Sequence, residues 1–476
     1  MTTIKLSDLR AETGVGFGTS GIRDLVTKLT DKTVYLYTKA FIGHLKNIDD
    51  LENKTMAVAG DLRKSSPRIM ATVIKAIEDE GLTAINCGYI PTPAITFYGL
   101  KKKVPTVMVT GSHIPDDRNG IKYQLSTKEI LKPDEEAITA ATVEYDETIF
   151  DNQGMLVNQS DVSVETKDGY EMYIKRYVDK FGDSFLKGKR IGIWGHSAVG
   201  RDLNADLLTR MGATVEKIEY SYEVFVPVDT DAVNDELIVK MKEWDEKYNL
   251  DHIIATDGDG DRPLLTDENG NQVRSELLPL LAAKYLGAEA IALTLTACTA
   301  AERTGWFRKT IRTKVGSPYI LEAIENLEKE GIKKVMGYEL NGGFFTGDLK
   351  TRDALMPILG TIALAKQSNK TISQLILELP QRFTYSASVK GIPTELSLKT
   401  IDEWERHKEE IEATFGKITH IDRLDGLRLT FENEDIVHFR PSKNAPEFRD
   451  YTESDTYDKA KLLSNKALEL INLWTK

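Results

Sequence analysis

Residues 252–266 read HIIATDGDGDRPLLT, and this stretch decides how the chain around it folds. Its apolar start predicts a buried strand, and the letters PLLT predict a second strand. In the loop between them Asp257, Asp259 and Asp261 alternate with glycines, so three carboxylates can converge on one hard cation through oxygen ligands. An EF-hand is excluded, because Arg262 takes the position that needs glycine and because the flanks are strands rather than helices.

Strands alternate with helices on both sides of this loop. Residues 55–61 (TMAVAGD) predict a buried strand, and Pro67 and Gly81 mark the start and the end of the helix that follows it. Similar rounds begin near residues 189 and 275, and such alternation favours parallel sheets with right-handed crossovers. We therefore predict an α/β chain of three related α/β domains with mixed or parallel sheets and a smaller C-terminal α+β domain, at residues 1–165, 166–274, 275–385 and 386–476.

Composition excludes several classes of protein. The 476 residues carry 62 basic and 74 acidic side chains, a net charge of −12, which does not suit general binding of nucleic acid or of an anionic membrane. No stretch approaches the roughly 18 apolar residues of a membrane span. No secretory signal is visible at the start, so we expect a cytoplasmic protein. Cys87 and Cys298 are too few for a disulfide framework or a zinc cluster, and we expect two buried thiols.

A serine-bearing loop, TGSHIPDDRNGIK at residues 110–122, follows a predicted strand. Ser112 on its glycine turn can act as an exposed nucleophile or carry a phosphoryl group. A hydrolase dyad of Ser112 with His113 is disfavoured, because the loop is not a G-x-S-x-G elbow and adjacent residues in an extended loop point in opposite directions. Lys122 can act as a general base if burial beside other cations depresses its pKa; the alternative is a solvated lysine.

Two further loops carry polar clusters. In GYELNGG, residues 337–343, Glu339 and Asn341 suit a pair of sugar hydroxyls. In RPSKNAPEFR, residues 440–449, a turn-rich loop predicts an anion cradle. The side chains that we expect to hold this anion are Arg440, Ser442, Asn444 and Arg449.

A glycine pattern near the start of the chain imitates a dinucleotide site. Residues 16–21 match G-x-G-x-x-G, but that interpretation requires a strand before the glycines and a helix after them, and neither is indicated. We interpret Arg23, just beyond these glycines, as another ligand for phosphate.

Together these loops resemble the α-D-phosphohexomutase family of phosphomannomutases, phosphoglucomutases and phosphoglucosamine mutases. Residues 110–115, 257–262, 337–343 and 440–449 follow the family's order and spacing, and DGDGDR matches its metal loop letter for letter. GTSGIR at residues 18–23 is also typical of the family. The resemblance implies four domains in a heart shape with the site at their centre.

The resemblance also implies an activity, the interconversion of hexose 6-phosphate and hexose 1-phosphate through a phosphoserine enzyme and a hexose 1,6-bisphosphate, which also serves as activator. Hexose phosphate is the implied small-molecule partner, with neither nucleic acid nor membrane, and the chain is expected to be a monomer or a homodimer. The implied roles are phosphoryl carrier for Ser112; Mg²⁺ ligands for Ser112, Asp257, Asp259 and Asp261; charge neutralisation for Arg23 and Arg262; general base for Lys122; sugar contacts for Glu339 and Asn341; and phosphate contacts for Arg440, Ser442, Asn444 and Arg449.

Three departures from the family pattern leave the sugar open. Two histidines common in the family are absent, one after the sugar loop and one after Val315-Gly316, and Asn444-Ala445 replaces the usual Thr-Glu. The Asn-Gly-Gly and Asn-Ala-Pro versions are most similar to phosphomannomutases, so we expect mannose, with glucose or glucosamine as alternatives. A metal-dependent sugar phosphohydrolase and a non-catalytic sugar-phosphate sensor are the alternatives from other classes.

Overall fold

Short strands alternate with helices in the computed structural model, which describes residues 1–18, 21–160, 165–442 and 446–475. The strands are β1 (Thr2–Lys5), β2 (Ile22–Leu25), β3 (Thr55–Gly60), β4 (Thr83–Asn86), β5 (Thr106–Val109), β6 (Arg118–Gln124), β7 (Thr142–Tyr145), β8 (Arg190–His196), β9 (Thr214–Tyr220), β10 (His252–Thr256), β11 (Pro263–Leu265), β12 (Ala290–Thr294), β13 (Lys309–Thr313), β14 (Val335–Tyr338), β15 (Phe344–Thr346), β16 (Leu349–Asp353), β17 (Phe383–Lys390), β18 (Ile418–Asp422), β19 (Leu427–Phe431), β20 (Ile436–Pro441) and β21 (Glu447–Ser454).

The helices follow the strands at most of the predicted places. They are α1 (Leu6–Thr13), α2 (Asp31–Asn47), α3 (Ser66–Asp79), α4 (Thr92–Lys102), α5 (Lys132–Ala140), α6 (Asp168–Phe181), α7 (Arg201–Arg210), α8 (Asp235–Tyr248), α9 (Leu277–Leu286), α10 (Ala300–Arg303), α11 (Ser317–Lys329), α12 (Leu355–Ser368), α13 (Ile372–Leu377), α14 (Thr394–Asp402), α15 (Lys408–Phe415) and α16 (Tyr457–Trp474). Within the described residues, none of these helices is both long enough and apolar enough to span a membrane.

Contacts divide the chain into two compact units. The first comprises Met1–Tyr285 and Asn341–Ile372, and the second comprises Leu286–Leu340 and Ser373–Lys476. Both expected thiols, Cys87 and Cys298, are buried and neither forms a disulfide. The four-domain division of the chain stays a prediction.

Two sheets of the first unit repeat one plan. In the first sheet β3 lies between parallel neighbours β4 and β5, and β6 and β2 add antiparallel strands. In the second, β8 lies between parallel neighbours β9 and β10, and β11 is antiparallel to β10. The strands β5 and β10 are buried along their whole length, as their apolar letters predict, and each ends directly at a polar loop. Polar loops at the carboxyl ends of parallel strands are where α/β sheets form their sites.

The second unit contains both kinds of predicted sheet. Its β12 pairs in parallel with β13 and β14, whereas β17, β21, β20, β19 and β18 form an antiparallel sheet in that order. These sheets confirm the predicted class, parallel and mixed α/β sheets followed by a smaller α+β piece. The expected loop at residues 440–449 is too long as predicted, because Arg440 lies on β20 and Arg449 on β21.

The sequence of the strand β21 does not predict a strand, because one of its inward-facing residues is an aspartate. Asp450 is fully buried, and neither carboxylate oxygen has a hydrogen-bond partner within the described part of the chain. Burial raises the pKa of Asp450 to about 7. An acidic letter at an inward position breaks the alternation that would otherwise predict a strand.

Replacing this carboxyl group by an amide should stabilise the second unit at alkaline pH. Because the folded pKa of Asp450 lies above the unfolded one, its protonation favours the fold below pH 4, and that contribution is lost as the pH rises from about 4 to about 7. We expect Asp450→Asn to exceed the wild type in unfolding free energy by on the order of 2–4 kcal/mol at pH 8, and by less at pH 5. Urea unfolding at both pH values measures this.

The control for this prediction is Glu409→Gln, which removes an exposed carboxylate of α15 in the same unit. Its stability difference from the wild type should not change between the two pH values. An Asp450→Asn protein no more stable than the wild type at pH 8 would contradict the prediction.

Candidate active site

The three aspartates of the DGDGDR loop form a buried cluster at the end of β10. Asp257, Asp259 and Asp261 are fully buried, and one oxygen from each lies within 4.8 Å of the others. The loop needs glycine at position 258, because a Cβ there would lie 2.5 Å from the carbonyl oxygen of Ser112. Close approach of the two backbones therefore sets the aspartates beside the serine loop.

The carboxylate oxygens of this cluster are only partly satisfied. The Oδ1 of Asp257 accepts the backbone N–H groups of Asp261 (3.0 Å) and Arg262 (3.1 Å). By contrast, the Oδ1 atoms of Asp259 and Asp261 are buried without a hydrogen-bond partner among the described residues. Buried carboxylate oxygens left unpaired are costly, and oxygen donors of this kind are what Mg²⁺ and Ca²⁺ prefer. The residues present therefore fit a divalent hard cation.

Lys122 and Arg352 neutralise part of the acidic charge. Nζ of Lys122 lies 2.6 Å from Oδ2 of Asp259 and 2.7 Å from Oδ2 of Asp261. The guanidinium of Arg352 lies 3.0 Å from the same oxygen of Asp261. Burial would raise the pKa of Asp259, but the Lys122 ammonium outweighs it and holds that pKa below its ordinary value. Burial and its two acidic neighbours instead raise the pKa of Asp257.

Lys122 does not have the lowered pKa that we expected of a general base. Burial does act to lower its pKa, but the carboxylates of Asp259 and Asp261 outweigh burial and raise the pKa above its ordinary value. The groups nearest to Nζ are acids, whereas the sequence led us to expect cations. Lys122 is thus a charged ammonium as the residues stand.

Ser112 sits at the tip of the loop that follows β5. It is buried, and its backbone has a φ of +56°, in the left-handed region that few residues other than glycine adopt. Its Oγ donates to Oδ2 of Asp257 at 2.7 Å, so the serine and the acidic cluster form one site. The side chain of Thr110 accepts the Ser112 N–H at 2.8 Å and helps to hold this conformation.

His113 lies closer to the serine than the sequence indicates. Its Nδ1 is 3.2 Å from Oγ of Ser112, so the expectation that these neighbours point apart is wrong. The reason is the positive φ of Ser112, since alternation of side chains holds only for extended backbone. Burial and the charge of Arg262 lower the pKa of His113, so its imidazole is neutral near pH 7.

Arginines supply positive charge around the acidic cluster. Arg262 contacts Asp229, with Nη1 2.9 Å from Oδ1. The side chain of Arg23 makes no hydrogen bond or ion pair within the described part of the chain, and burial together with the charge of Arg262 lowers its pKa to about 10. Arg23 lies on the strand β2, so a strand and not a helix follows the glycines, which argues against the dinucleotide interpretation. A half-buried guanidinium without a partner is suited to receive an anion.

Sequence reasoning missed three groups of this site. Thr92 donates to Asp259 at 2.5 Å, Arg352 pairs with Asp261, and Arg63 donates to the carbonyl oxygen of Ser112 at 2.8 Å. Only Arg63 had a usable signal, because it follows β3, whose carboxyl end lies at the same sheet edge as that of β5. Nothing in the letters relates Arg352 to the acidic loop.

The predicted phosphate residues lie in the second unit. Arg440 and Arg449 are directly opposite each other in the β20–β21 register, so both point to one face of the sheet. Nε of Arg440 donates to Asp425 at 2.7 Å, and Arg449 donates to Glu447 at 3.0 Å. Ser442 is buried just beyond β20, and Asn444 lies outside the described residues.

The predicted sugar residues are divided between the units. Glu339 is buried directly after β14 in the second unit. Asn341 belongs to the first unit, where its Oδ1 accepts the N–H of Gly343 at 3.0 Å. The amide oxygen of Asn341 is therefore engaged in a local turn, and its NH₂ group is the part suited to a ligand hydroxyl.

Comparison with known proteins places this chain in a family. Residues 14–148 match the family domain described as phosphoglucomutase/phosphomannomutase, alpha/beta/alpha domain I, and residues 280–383 match domain III of the same family. The chain is 38% identical to a phosphomannomutase of Salmonella muenchen over 95% of each chain. It is 36% identical to a phosphomannomutase of Sinorhizobium fredii over 96% of this chain and 99% of the other.

A solved structure shows the same fold at lower identity. The structure described as a putative phosphomannomutase from Thermus thermophilus superimposes with a TM-score of 0.75 at 18% identity, over 96% of this chain and 99% of that one. The two matched domains and the relatives above 30% identity along nearly the whole length lead to one conclusion. The chain belongs to the phosphoglucomutase/phosphomannomutase family.

Proposed function

We propose that this enzyme is an intramolecular phosphotransferase that interconverts mannose 6-phosphate and mannose 1-phosphate in the cytoplasm. The observation that carries the reaction type is Oγ of Ser112, 2.7 Å from a carboxylate of the buried triad. The choice of mannose rests on the relatives at 36–38% identity, which are phosphomannomutases. Glucose phosphate and glucosamine phosphate are the alternative substrates.

Ser112 is proposed as the carrier of the phosphoryl group. The sugar's free hydroxyl attacks phosphorus, the bond from phosphorus to Oγ breaks, and Oγ recovers a proton, which yields hexose 1,6-bisphosphate. The bisphosphate then reorients, and its other phosphoryl group returns to Ser112. A catalytic amount of hexose 1,6-bisphosphate would phosphorylate an unmodified enzyme and so activate it.

The acidic triad is proposed as a Mg²⁺ site. Asp257, Asp259, Asp261 and an oxygen of phosphorylated Ser112 would hold the ion, which when bound supplies positive charge beside the phosphoryl oxygens. Arg23 and Arg262 would neutralise the remaining charge of the transferring group from their positions on β2 and beside β11. Phosphoryl transfer depends mainly on positioning and on such charge neutralisation.

The remaining substrate contacts are proposed to come from residues of the second unit and from the turn at Asn341. The paired Arg440 and Arg449, with Ser442 and Asn444, would hold the phosphate that is not transferred, because guanidinium groups match phosphate geometry. Glu339 and Asn341 would bind hydroxyls of the sugar. Lys122 is proposed as the general base for the attacking hydroxyl, a role that requires it first to lose the proton that it holds while it faces Asp259 and Asp261.

One observation favours a second candidate function. The neutral imidazole of His113 lies 3.2 Å from Oγ of Ser112, a distance at which it can also direct water to a phosphoserine. A metal-dependent sugar phosphohydrolase would use this arrangement.

Phosphorus NMR separates these functions and tests the sugar. Purified enzyme with Mg²⁺ and a trace of glucose 1,6-bisphosphate is given mannose 1-phosphate or glucose 1-phosphate in parallel. We expect the mannose tube to form the 6-phosphate faster and without free phosphate. Inorganic phosphate as the main product would replace the mutase by the phosphohydrolase, and faster turnover of glucose 1-phosphate would overturn the choice of sugar.

Removing the carrier oxygen should abolish turnover. In Ser112→Ala the hydroxyl that donates to Asp257 is gone, so no phosphoenzyme can form and we expect activity to fall at least about 10⁴-fold. Intact-mass spectrometry after incubation with the bisphosphate should show one added phosphoryl group on the wild type and none on the variant. Ser126→Ala, which removes a hydroxyl bonded to Asp50 in the same unit, is the control. A phosphorylated or active Ser112→Ala enzyme contradicts the assignment.

A charge-conserving variant tests Lys122 as proton acceptor. Arginine keeps the positive charge beside Asp259 and Asp261 but does not give up its proton near neutral pH. We expect Lys122→Arg to lose about 10²–10⁴-fold in kcat while it still binds Mg²⁺, as measured by calorimetry. Turnover within about threefold of the wild type would show that Lys122 contributes charge only.

A further inference from the structure

Arg63 donates hydrogen bonds to the backbone of the serine loop, residues 110–122. Its Nη2 lies 2.8 Å from the carbonyl oxygens of both Ser112 and Ile114, and its Nη1 lies 3.0 Å from that of Pro115. Its Nε donates to Asp61 at 3.1 Å. One buried, planar guanidinium thus fixes three carbonyl groups of one loop at the same time.

The same network reaches the backbone N–H of the serine. Oδ2 of Asp61 accepts from Nε of Arg63 and from the hydroxyl of Thr110, and that hydroxyl oxygen accepts the N–H of Ser112. The carbonyl and the N–H of Ser112 are therefore both tied to the Asp61–Arg63 pair. A non-glycine residue with a φ of +56° persists only where surrounding contacts determine it, and these are such contacts.

An aromatic ring covers one face of the Arg63 guanidinium. The ring of Phe225 lies 3.8 Å from the guanidinium carbon of Arg63, within the range of a cation–π contact. A Cβ at Gly111 would lie 2.6 Å from Nε of Arg63, and a Cβ at Gly258 would lie 2.9 Å from the Phe225 ring. The serine loop, the guanidinium, the ring and the aspartate loop are thus packed against one another without spare room.

We propose that Arg63, covered by Phe225, is a positioning residue for phosphoryl transfer: it holds Ser112 in its left-handed conformation and so keeps Oγ directed at Asp257. Arg63 is engaged by backbone carbonyls, Asp61 and Phe225, so it would act through the serine loop. The inference rests on the proposed function to the extent that Ser112 is taken as the phosphoryl carrier.

The first test is Arg63→Lys, which keeps one positive charge but cannot bind three carbonyls and a carboxylate in a plane. We expect kcat to fall about 10–100-fold, because misplacement of a reacting atom by about 1 Å can cost about 10²-fold in rate. KM for the hexose phosphate should stay within about twofold, since Arg63 makes its side-chain hydrogen bonds to Asp61 and to the backbone of the serine loop. A purely structural residue would lower the amount of folded enzyme and leave kcat per folded molecule unchanged.

Arg68→Lys is the matched control. Arg68 is a partly buried arginine of α3 that also binds a carboxylate and a backbone carbonyl, those of Asp31 and Leu29, but it makes no contact with the serine loop. Its lysine variant should keep the wild-type kcat. Guanidinium chloride at millimolar concentration should restore part of the activity of Arg63→Ala and none to an Arg68→Ala protein.

Phe225→Leu provides a second test in case the arginine variants do not fold. It leaves every hydrogen bond of Arg63 in place and removes only the covering ring, so we expect a stable protein with a smaller loss of kcat, about 3–10-fold. Wild-type kcat in folded Arg63→Lys, or in folded Phe225→Leu where the arginine variants do not fold, would overturn the proposal.

Hydrogen–deuterium exchange separates this proposal from the function on which it rests. Exchange of the amides at residues 110–115 should quicken in Arg63→Lys, or in Phe225→Leu if the former does not fold, and stay at the wild-type rate in Arg68→Lys. Unchanged exchange would overturn the positioning role. If the wild type itself turned over no hexose phosphate, the proposed function would fail, and the exchange experiment would still decide whether Arg63 holds the loop.

Discussion

Three carboxylates buried within 4.8 Å of one another repel each other strongly, and the surrounding structure is organised around that repulsion. Lys122 on β6 and Arg352 on β16 are brought to Asp259 and Asp261, and each pair uses only one oxygen of the carboxylate. The other oxygen of each carboxylate accepts no hydrogen bond among the described residues. Removal of one cation from such a cluster leaves an uncompensated buried charge, so the positions of β6 and β16 depend on the acidic loop as much as the loop depends on them.

This charge balance explains why residues close in sequence titrate in opposite directions. Both residues are fully buried, but Asp259 has a lysine ammonium against it and its pKa falls, whereas burial and two acidic neighbours raise the pKa of Asp257 despite the charge of Arg262. Asp257 is also the residue that receives the hydroxyl of Ser112. A divalent cation at the triad would add positive charge beside Asp257, which is the physical reason to link the metal site with the serine.

Much of the first unit could be predicted because its signals are local. The strand β10 begins and ends at the predicted residues, since four consecutive apolar or small letters precede the acidic loop, and all three aspartates lie on that one loop. The partners of the triad could not be found in this way. Lys122 and Arg352 are 139 and 91 residues from Asp261, and no local pattern encodes which cation will meet which acid. The pKa expected for Lys122 was wrong for this reason.

Local patterns also failed where the backbone or the burial is unusual. The alternation rule placed His113 away from Ser112, yet a single positive φ brings their polar atoms to 3.2 Å. The rule for strands missed β21, because the buried Asp450 breaks its apolar alternation. In both cases a tertiary environment stabilises a conformation or a charge state that the residue alone disfavours.

The burial of Ser112 bears on the choice between a mutase and a hydrolase. The serine is 1% exposed and lies on a packed stack of Arg63, Phe225 and Gly258, whereas the side chain of His113 beside it is 23% exposed. A neutral imidazole so close to the carrier oxygen would activate any water that reached it. A mutase must keep its phosphoserine from water until a sugar hydroxyl arrives, and a closely packed serine loop meets that need. The tight packing around Ser112 therefore favours transfer to a bound sugar, and His113 marks the side from which water has to be excluded.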